Sequence, residues 1–150
     1  MTYALERSAI TAYFVAQWAG ATPLGLDGHK FTPVYNSVRL TIQSGRAMQG
    51  SVGKAPNSIW YLGMVTATVF TEGGLGSAAW CGYAETIQTM LFEKTIDNAG
   101  ALITTMAASF VRFSPPQLGD GRHPYIGADF DDAPFHLTNI IAPFVRYGLR

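Results

Sequence analysis

Apolar side chains near the start of the chain recur at the spacing of a helix. Those that form the stripe are Ala9, Ile10, Tyr13, Phe14 and Trp18. This spacing places them on one face of an amphipathic helix. Thr2 is a suitable N-terminal cap, and Gly20 is suited to the end of the helix. The pattern therefore predicts a helix over residues 3–19, followed by a turn-rich segment over residues 21–34.

Two segments in the middle of the chain alternate in the manner of β-strands. In residues 37–44, apolar side chains alternate strictly with polar ones, which predicts a half-buried strand. Residues 58–71 are apolar on both faces. One face carries Ile59, Tyr61, Val65 and Val69, and the other carries Trp60, Leu62, Met64 and Phe70. We expect both faces of this strand to be covered, by the chain's own helices or by another subunit.

The second half of the chain predicts another helix and two more strands. A glycine-rich turn over residues 72–76 precedes Ser77, which is a suitable cap for a helix that continues to about residue 94. The buried stripe of this helix consists of Trp80, Ala84, Ile87 and Leu91. Strands are expected near residues 101–113 and 135–147.

Two segments, residues 45–57 and 114–134, have the composition of long loops. The second contains three glycines and four aspartates, and loops of this length are often functional or ordered by a partner. The whole pattern predicts one α+β domain over residues 1–150. We expect two main helices, long loops and a mixed, mostly antiparallel sheet of about four to five strands.

The chain is poor in charge and rich in aromatic side chains. Of 150 residues, 13% are charged, 13% are aromatic and 48% are hydrophobic, and ten basic residues balance ten acidic ones. A domain with so few charges is poorly equipped to stay monomeric, so we expect it to cover much of its surface with neighbours. A free-standing nucleic-acid-binding protein is usually strongly basic, which argues against that class.

Neither a membrane-spanning nor an export segment is expected. The apolar runs are shorter than the roughly 20 residues that cross a bilayer. Glu6 and Arg7 precede the apolar part of the N-terminal segment, unlike the start of a signal peptide. The single cysteine, Cys81, rules out an internal disulfide framework and a multi-cysteine zinc site. We expect it to be reduced in a cytoplasmic product.

Charge is unevenly distributed along the chain. Between Gly28 and Thr71 there are four basic residues and no acidic one, whereas residues 114–134 carry four aspartates against Arg122. One interpretation is that the two charged segments are solvated loops. The other is that they are complementary surfaces, in which a basic arm of one subunit meets the acidic loop of the next around a ring. The candidate interface residues are Arg39, Arg46, Lys54, Asp129, Asp131 and Asp132.

One glycine-rich turn fits an enzyme motif. Residues 74–79 match G-x-G-x-x-A between a predicted strand and a predicted helix, and Asp97 follows about 20 residues later, as in dinucleotide-binding proteins. However, the preceding strand ends in Glu72, which would place a carboxylate near the phosphates, and the sequence shows no βαβαβ series. Glycines in a tight turn explain the motif equally well.

Two further chemical sites are open alternatives. Cys81 is a possible nucleophile beside a histidine, but it lies on an apolar helix with no supporting motif. The histidines available to it are His29, His123 and His136. The spacing of His123 and the aspartates at 129, 131 and 132 matches no calcium loop. We therefore expect no catalytic residue, no cofactor and no metal, and the chain is predicted not to be an enzyme.

A set of segments spread over most of the chain forms a recognisable layout. They are the N-terminal helix with Arg7, Ile10, Phe14 and Trp18, the segment Phe31-Thr32-Pro33, the strand Val38–Ile42, the long strand after Tyr61-Leu62-Gly63, the turn Gly73–Gly76, the helix end Ile87–Phe92 and the final Ala142–Tyr147. This layout resembles the tail terminator (tail completion) proteins of long-tailed bacteriophages. In that family a small α+β domain forms a six-membered ring on the tail tube, and the family has no catalytic residues.

The resemblance implies a structural virion protein that ends tube polymerisation and provides the joint to the head connector. It implies assembly with itself, the tail tube protein and the neck proteins, without a membrane, and with DNA only passing through the lumen of the ring. The protein would be made in the host cytoplasm and reside at the neck end of the tail. The alternatives are another head–tail joining protein, such as a connector adaptor or head-closure protein, and a small nucleotide-binding enzyme.

Overall fold

Two helices lie against one face of a single sheet in this computed structural model, which describes residues 1–105 and 108–149. The helices are α1 (Tyr3–Trp18) and α2 (Ala78–Leu91). The strands are β1 (Leu24–Gly25), β2 (Ser37–Gln49), β3 (Ser58–Glu72), β4 (Thr95–Ile96), β5 (Phe110–Phe113), β6 (Tyr125–Asp132) and β7 (Phe135–Leu149). Two short 3₁₀ turns, joined at Gly119, lie within Pro116–Arg122. No helix of the described part is long and apolar enough to cross a membrane.

Strand β7 organises the sheet. The strand order is β1-β2-β3-β7-β5-β4, and β6 also pairs with β7. On one side β7 pairs with β3 along its whole length; on the other side it pairs with β6 over residues 135–141 and with β5 over residues 144–147. Only β1 and β2 run parallel among the described strands. The mixed, mostly antiparallel α+β fold is thus confirmed, but the sheet has seven strands instead of the predicted four to five.

The core lies between the two helices and the inner face of the sheet, which is the face turned toward them. The buried side chains of α1 include those of the predicted stripe, and Thr2 caps the helix by accepting a hydrogen bond from the amide of Leu5 at 3.2 Å. On β2 the inward positions Val38, Leu40 and Ile42 are buried, as their alternation predicted. Tyr13 links the helices by donating a 2.6 Å hydrogen bond to the carbonyl of Met90, and burial raises the pKa of its hydroxyl.

Several predicted boundaries in the second half are wrong. Helix α2 ends at Leu91 and not near residue 94, because Phe92 has an extended backbone that leads into β4. Trp80 is only half-buried. Met90, which is not in the predicted stripe, is buried with the other three stripe residues. The strand expected over residues 101–113 is reduced to β5; residues 106 and 107 of that prediction lie outside the described residues.

Both predicted long loops contain regular structure. Strand β2 continues through Gln49, past a bulge between Ser44 and Ala47, so the connection to β3 shortens to residues 50–57. Gly45 sits in this bulge, where a Cβ atom would lie 2.7 Å from the carbonyl oxygen of Leu62. Residues 114–134 are not an unstructured loop, because they form the 3₁₀ turns and then β6.

A buried ion pair joins the first helix to the last strand. Nε of Arg146 lies 2.5 Å from Oε2 of Glu6, and both side chains are almost completely buried. The guanidinium lies 3.8 Å from the ring centroid of Tyr61, and it donates a hydrogen bond to the carbonyl of Met1. Ser44 donates a 2.8 Å hydrogen bond to the other carboxylate oxygen of Glu6. Helix α1 is therefore held on the sheet by polar as well as apolar contacts.

Candidate functional site

The outer face of the sheet, which points away from the helices, is only partly covered by the chain. At one end, Phe31 and Tyr35 of the segment after β1 lie against Phe70 and Phe135. The middle of β3 stays accessible: Leu62 and Thr66 are half-buried, and Met64 is 39% exposed. The chain's own helices therefore cover one face of β3, and the middle of the other face stays partly open.

An aromatic row lies at the other end of this outer face. The ring of Tyr147 stacks on Phe110 with centroids 4.3 Å apart and meets Trp60 edge-on at 5.8 Å. The side-chain amide of Gln117, from the 3₁₀ turns, donates a hydrogen bond to the hydroxyl of Tyr147. These contacts fix the 3₁₀ turns over the end of the sheet and give the open face a rigid apolar border.

A groove of about 610 Å³ runs from the open face to the edge of β2. Its apolar wall is formed by Leu62, Met64, Leu118 and Pro143, and its edge by residues 42–46. Strand β1 pairs only with Val38 and Arg39, so residues 43–49 of β2 have no strand partner on that side in the described chain. Here the sheet presents unpaired backbone groups beside an apolar surface.

Asp27 ends the covered part of this edge. Its carboxylate accepts a 3.0 Å hydrogen bond from the amide of Ile42 and lies 2.5 Å from Nη1 of Arg7. The side chain thus replaces the strand partner that β1 no longer supplies at Ile42. From Gln43 onward, no such replacement occurs within the described residues, which defines where the free edge begins.

The three predicted basic interface residues lie along β2 and the connection that follows it. Arg39 is exposed on the outer face, with its guanidinium 5.8 Å from the ring centroid of Phe70. Arg46 lies exposed in the bulge, and Lys54 lies exposed in residues 50–57. None of the three forms an ion pair with another described residue. The structure therefore spreads them along one margin of the molecule and does not gather them into a pocket.

The three predicted acidic residues lie on β6, at another margin. Asp131 Oδ1 lies 2.7 Å from Nδ1 of His136, and Asp129 Oδ1 contacts Nε2 of the same ring. Trp80 stacks on this imidazole at 5.7 Å. The hydrogen bond to Asp131 is the main reason that the pKa of His136 is raised; desolvation opposes the shift and Asp129 adds to it. Asp132 is exposed and forms no ion pair among the described residues.

His123, considered with the three aspartates as a possible metal site, lies away from them. His123 stacks on Phe92 with ring centroids 4.5 Å apart, whereas two of the aspartates contact His136. Within residues 1–105 and 108–149, no group of three or more His, Cys, Asp or Glu side chains is arranged to hold a metal ion. Cys81 is half-buried on α2.

The cluster around His136 was not predicted, although the sequence carries a signal for it. Asp129 and Asp131 are two residues apart, as side chains on the same face of a strand are. His136 follows after a short turn, where a hairpin partner would lie. The composition of residues 114–134 predicts a loop, which gives no such pairing, whereas the register places Asp131 directly opposite His136.

The glycine-rich turn at residues 74–79 lies in a different setting from a dinucleotide site. Gly74 and Gly76 have positive φ values of 83° and 80°, a conformation that favours glycine. The preceding strand, β3, pairs antiparallel with both neighbours, whereas the dinucleotide fingerprint belongs to a parallel βαβ unit. Asp97 accepts hydrogen bonds from the amides of Ala99 and Ala101, at 2.9 Å each, and so stabilises a local turn.

Comparisons with known proteins inform the fold alone. No protein-family model and no curated protein sequence matches the chain. A solved structure is similar with a TM-score of 0.66 and 18% sequence identity, and the alignment covers 97% of this chain and 96% of that chain. The likeness therefore extends over nearly the whole length of both chains and concerns the fold.

Proposed function

We propose that the protein is a tail terminator of a long-tailed bacteriophage, which assembles into a ring on the tail tube, ends its polymerisation and joins it to the head connector. The observation that carries the proposal is the open outer face of the sheet, with its half-exposed apolar strip and its free β2 edge. Exposed apolar patches are typical of interaction sites, so we expect another molecule to cover this surface.

The charge distribution also supports a subunit that assembles. The net charge is zero. The basic candidates lie on β2 and the connection that follows it, whereas the acidic candidates lie on β6, at a different margin. A contact between unlike margins is heterologous, and a heterologous contact can close into a ring. The layout of the sequence adds the family, and with it the hexamer, the virion location at the neck, synthesis in the host cytoplasm and DNA passing through the lumen.

The decisive experiment is deletion of the coding sequence from the phage or prophage genome that carries it. A terminator limits tube growth, so lysates of the deletion strain should contain abnormally long tails without heads in negative-stain electron microscopy. Expression of the protein from a plasmid should restore tails of uniform length. Tails of normal length in the deletion strain would exclude this function.

The same micrographs separate the terminator from other head–tail joining proteins. Loss of a connector adaptor or head-closure protein should leave tails of normal length beside unattached heads. A nucleotide-binding enzyme would instead bind labelled dinucleotide in a filter or fluorescence assay. The strand before residues 74–79 is antiparallel to both neighbours, unlike the strand of a dinucleotide-binding βαβ unit. We therefore propose that this turn binds no dinucleotide and that the protein is not an enzyme.

A further inference from the structure

Among the described residues, two of the long strands expose an unpaired edge, and these edges lie at opposite margins of the sheet. One is residues 43–49 of β2, beyond the reach of β1 and Asp27. The other is β6, which pairs only with β7 among the described strands and is exposed along nearly its whole length. Open edges of this kind are templates for pairing with another chain.

The backbone of the β2 edge is oriented for such pairing. The amide of Gly50 donates a 2.7 Å hydrogen bond to the carbonyl of Ser58, on the β3 side. Successive amides of a strand alternate in direction, so those of Ala47 and Gln49 point away from β3. They face the free edge, where another strand could accept their hydrogen bonds.

The two edges carry opposite charge. The β2 side has Arg46 in the bulge and Lys54 just beyond, and the carboxylate of Asp27 at the start of this edge is paired with Arg7. The β6 side has three aspartates and no lysine or arginine over residues 124–135. His136 contacts two of the aspartates, which leaves Asp132 exposed without an ion-pair partner in the described chain. Each edge therefore repels its own kind and attracts the other.

We propose that copies of this chain associate head to tail by strand pairing, with the basic β2 edge of one copy aligned against the acidic β6 edge of the next. The sheet then continues from subunit to subunit, and the apolar groove beside residues 43–46 is covered by the incoming strand. This interface rests on the proposed function, because it is the contact through which the ring would form.

The geometry of the sheet makes this pairing directional. The free β2 residues lie beside the half of β3 that pairs with residues 143–149 of β7, whereas β6 lies beside residues 135–141. The two edges thus occupy diagonally opposite corners. A copy joined at one corner must be offset along the strand direction, so its strands tilt relative to the axis of a closed ring, as strands do in a barrel.

A proline in the β2 edge tests the strand pairing. Gln49→Pro removes an amide that points away from β3, and such a position on an edge strand accepts proline. Gln49→Ala is the matched control, because both variants lose the hydrogen bond from the side-chain amide of Gln49 to the carbonyl of Ser51. We expect Gln49→Pro to weaken self-association about tenfold or more in sedimentation and native mass spectrometry, with Gln49→Ala near the wild type. Equal association of the two variants would overturn strand pairing at this edge.

Charge reversal tests the choice of partner edge. Arg46→Glu should weaken association at low salt about fivefold or more, and Asp132→Lys in the same chain should restore part of it. Lys30→Glu, an exposed reversal outside the edge, makes the same change in net charge and should have little effect. Equal loss in Lys30→Glu and Arg46→Glu, or no rescue by Asp132→Lys, would overturn the assignment of β6.

The outcomes also separate the interface from the function. Wild-type protein that stays monomeric at the highest attainable concentration in low salt would overturn the interface. Overlong tails in the deletion strain would still support a terminator in that case. Conversely, edge-dependent oligomers together with normal tails in the deletion strain would retain the interface and exclude the terminator.

Discussion

Strand β7 carries an ionic cluster near each of its ends, and the two clusters differ in burial. Near the end of the strand, the side chains of Arg146 and Glu6 are only 4% and 1% exposed. Near its start, His136 meets Asp129 and Asp131, whose side chains are 38% and 79% exposed. The ion pairs at one end of β7 are therefore shielded from solvent, whereas those at the other end are accessible to it.

The difference in burial gives the clusters different roles. Removing one partner of a buried pair leaves the other charge without water or a counterion, which is costly. An exposed pair is screened, and water replaces a lost partner at little expense. The Glu6 cluster therefore fixes α1 on the sheet, whereas the His136 cluster adjusts the charge of the β6 edge as the imidazole titrates.

The largest expected effect comes from breaking the buried cluster. Arg146→Met leaves the Glu6 carboxylate buried without its cation, so we expect a loss of about 3–5 kcal/mol in the free energy of unfolding, measured by urea denaturation. The double variant with Glu6→Met should recover most of that loss, because neither buried charge remains.

An exposed ion pair provides the matched control. Arg122 lies 3.0 Å from Glu93, and its side chain is 31% exposed. Arg122→Met should therefore change the free energy of unfolding by only about 0–1 kcal/mol. Equal effects of Arg122→Met and Arg146→Met would show that the burial of the Glu6 pair does not determine its contribution.

The exposed cluster depends on the turn that starts α2, since Trp80 of this helix stacks on His136. Gly76 has a φ of 80° and open space where a Cβ would be, so the cost of an alanine there is one of backbone conformation. We expect Gly76→Ala to lower the free energy of unfolding by about 1 kcal/mol or more, measured by urea denaturation.

A second glycine, inside the helix that follows this turn, gives the opposite expectation. Gly82 lies within α2 and has open space around the position that a Cβ atom would take, so Gly82→Ala should stabilise the protein by about 0.5–1 kcal/mol.

Dinucleotide affinity in the wild type, lost in a folded Gly76→Ala protein, would contradict a purely conformational role for the turn.

Strong periodicity explains which elements the sequence predicts. Helix α1 and strand β2 have regular apolar spacing. The predicted helix over residues 3–19 matches α1 to within one residue at both ends, whereas the predicted strand over residues 37–44 matches β2 at its start and stops five residues short of its end. Strand β6 contains a glycine and three aspartates, which is the composition of a loop. It is a strand because β7 is long enough to offer residues 135–141 as a pairing edge, and this is a property of the tertiary structure.

The candidate site divides in the same way. Local charge bias is visible in the sequence, and in the structure Arg46 and Lys54 lie at a different margin from the aspartates of β6. The Glu6–Arg146 pair joins residues 140 positions apart, so no local sequence pattern predicts it. The free edge of β2 was equally hidden, because it depends on where β1 and Asp27 stop covering the strand.

The smallest expected effect is a pH dependence of the exposed cluster. The two aspartates raise the pKa of His136 above its ordinary value of 6.5. A raised pKa in the folded state means that protonation favours folding, so the stabilisation is fully present below pH 6.5 and is lost as the pH rises through the raised value. The difference in stability between the wild type and His136→Gln should therefore be largest near about pH 5.5 and should shrink, by up to about 1 kcal/mol, toward alkaline pH.

Urea denaturation of both proteins at several pH values measures this dependence, and Arg122→Met serves as the control. Arg122→Met and His136→Gln should both have small effects, but only His136→Gln should remove a titration with its midpoint above pH 6.5. Deprotonation of His136 as the pH rises also makes the net charge of the β6 edge more negative. A change in solution pH therefore alters the charge of this edge without unfolding the protein. A wild-type protein whose stability follows that of His136→Gln at every pH would show that the aspartates do not hold the protonated ring.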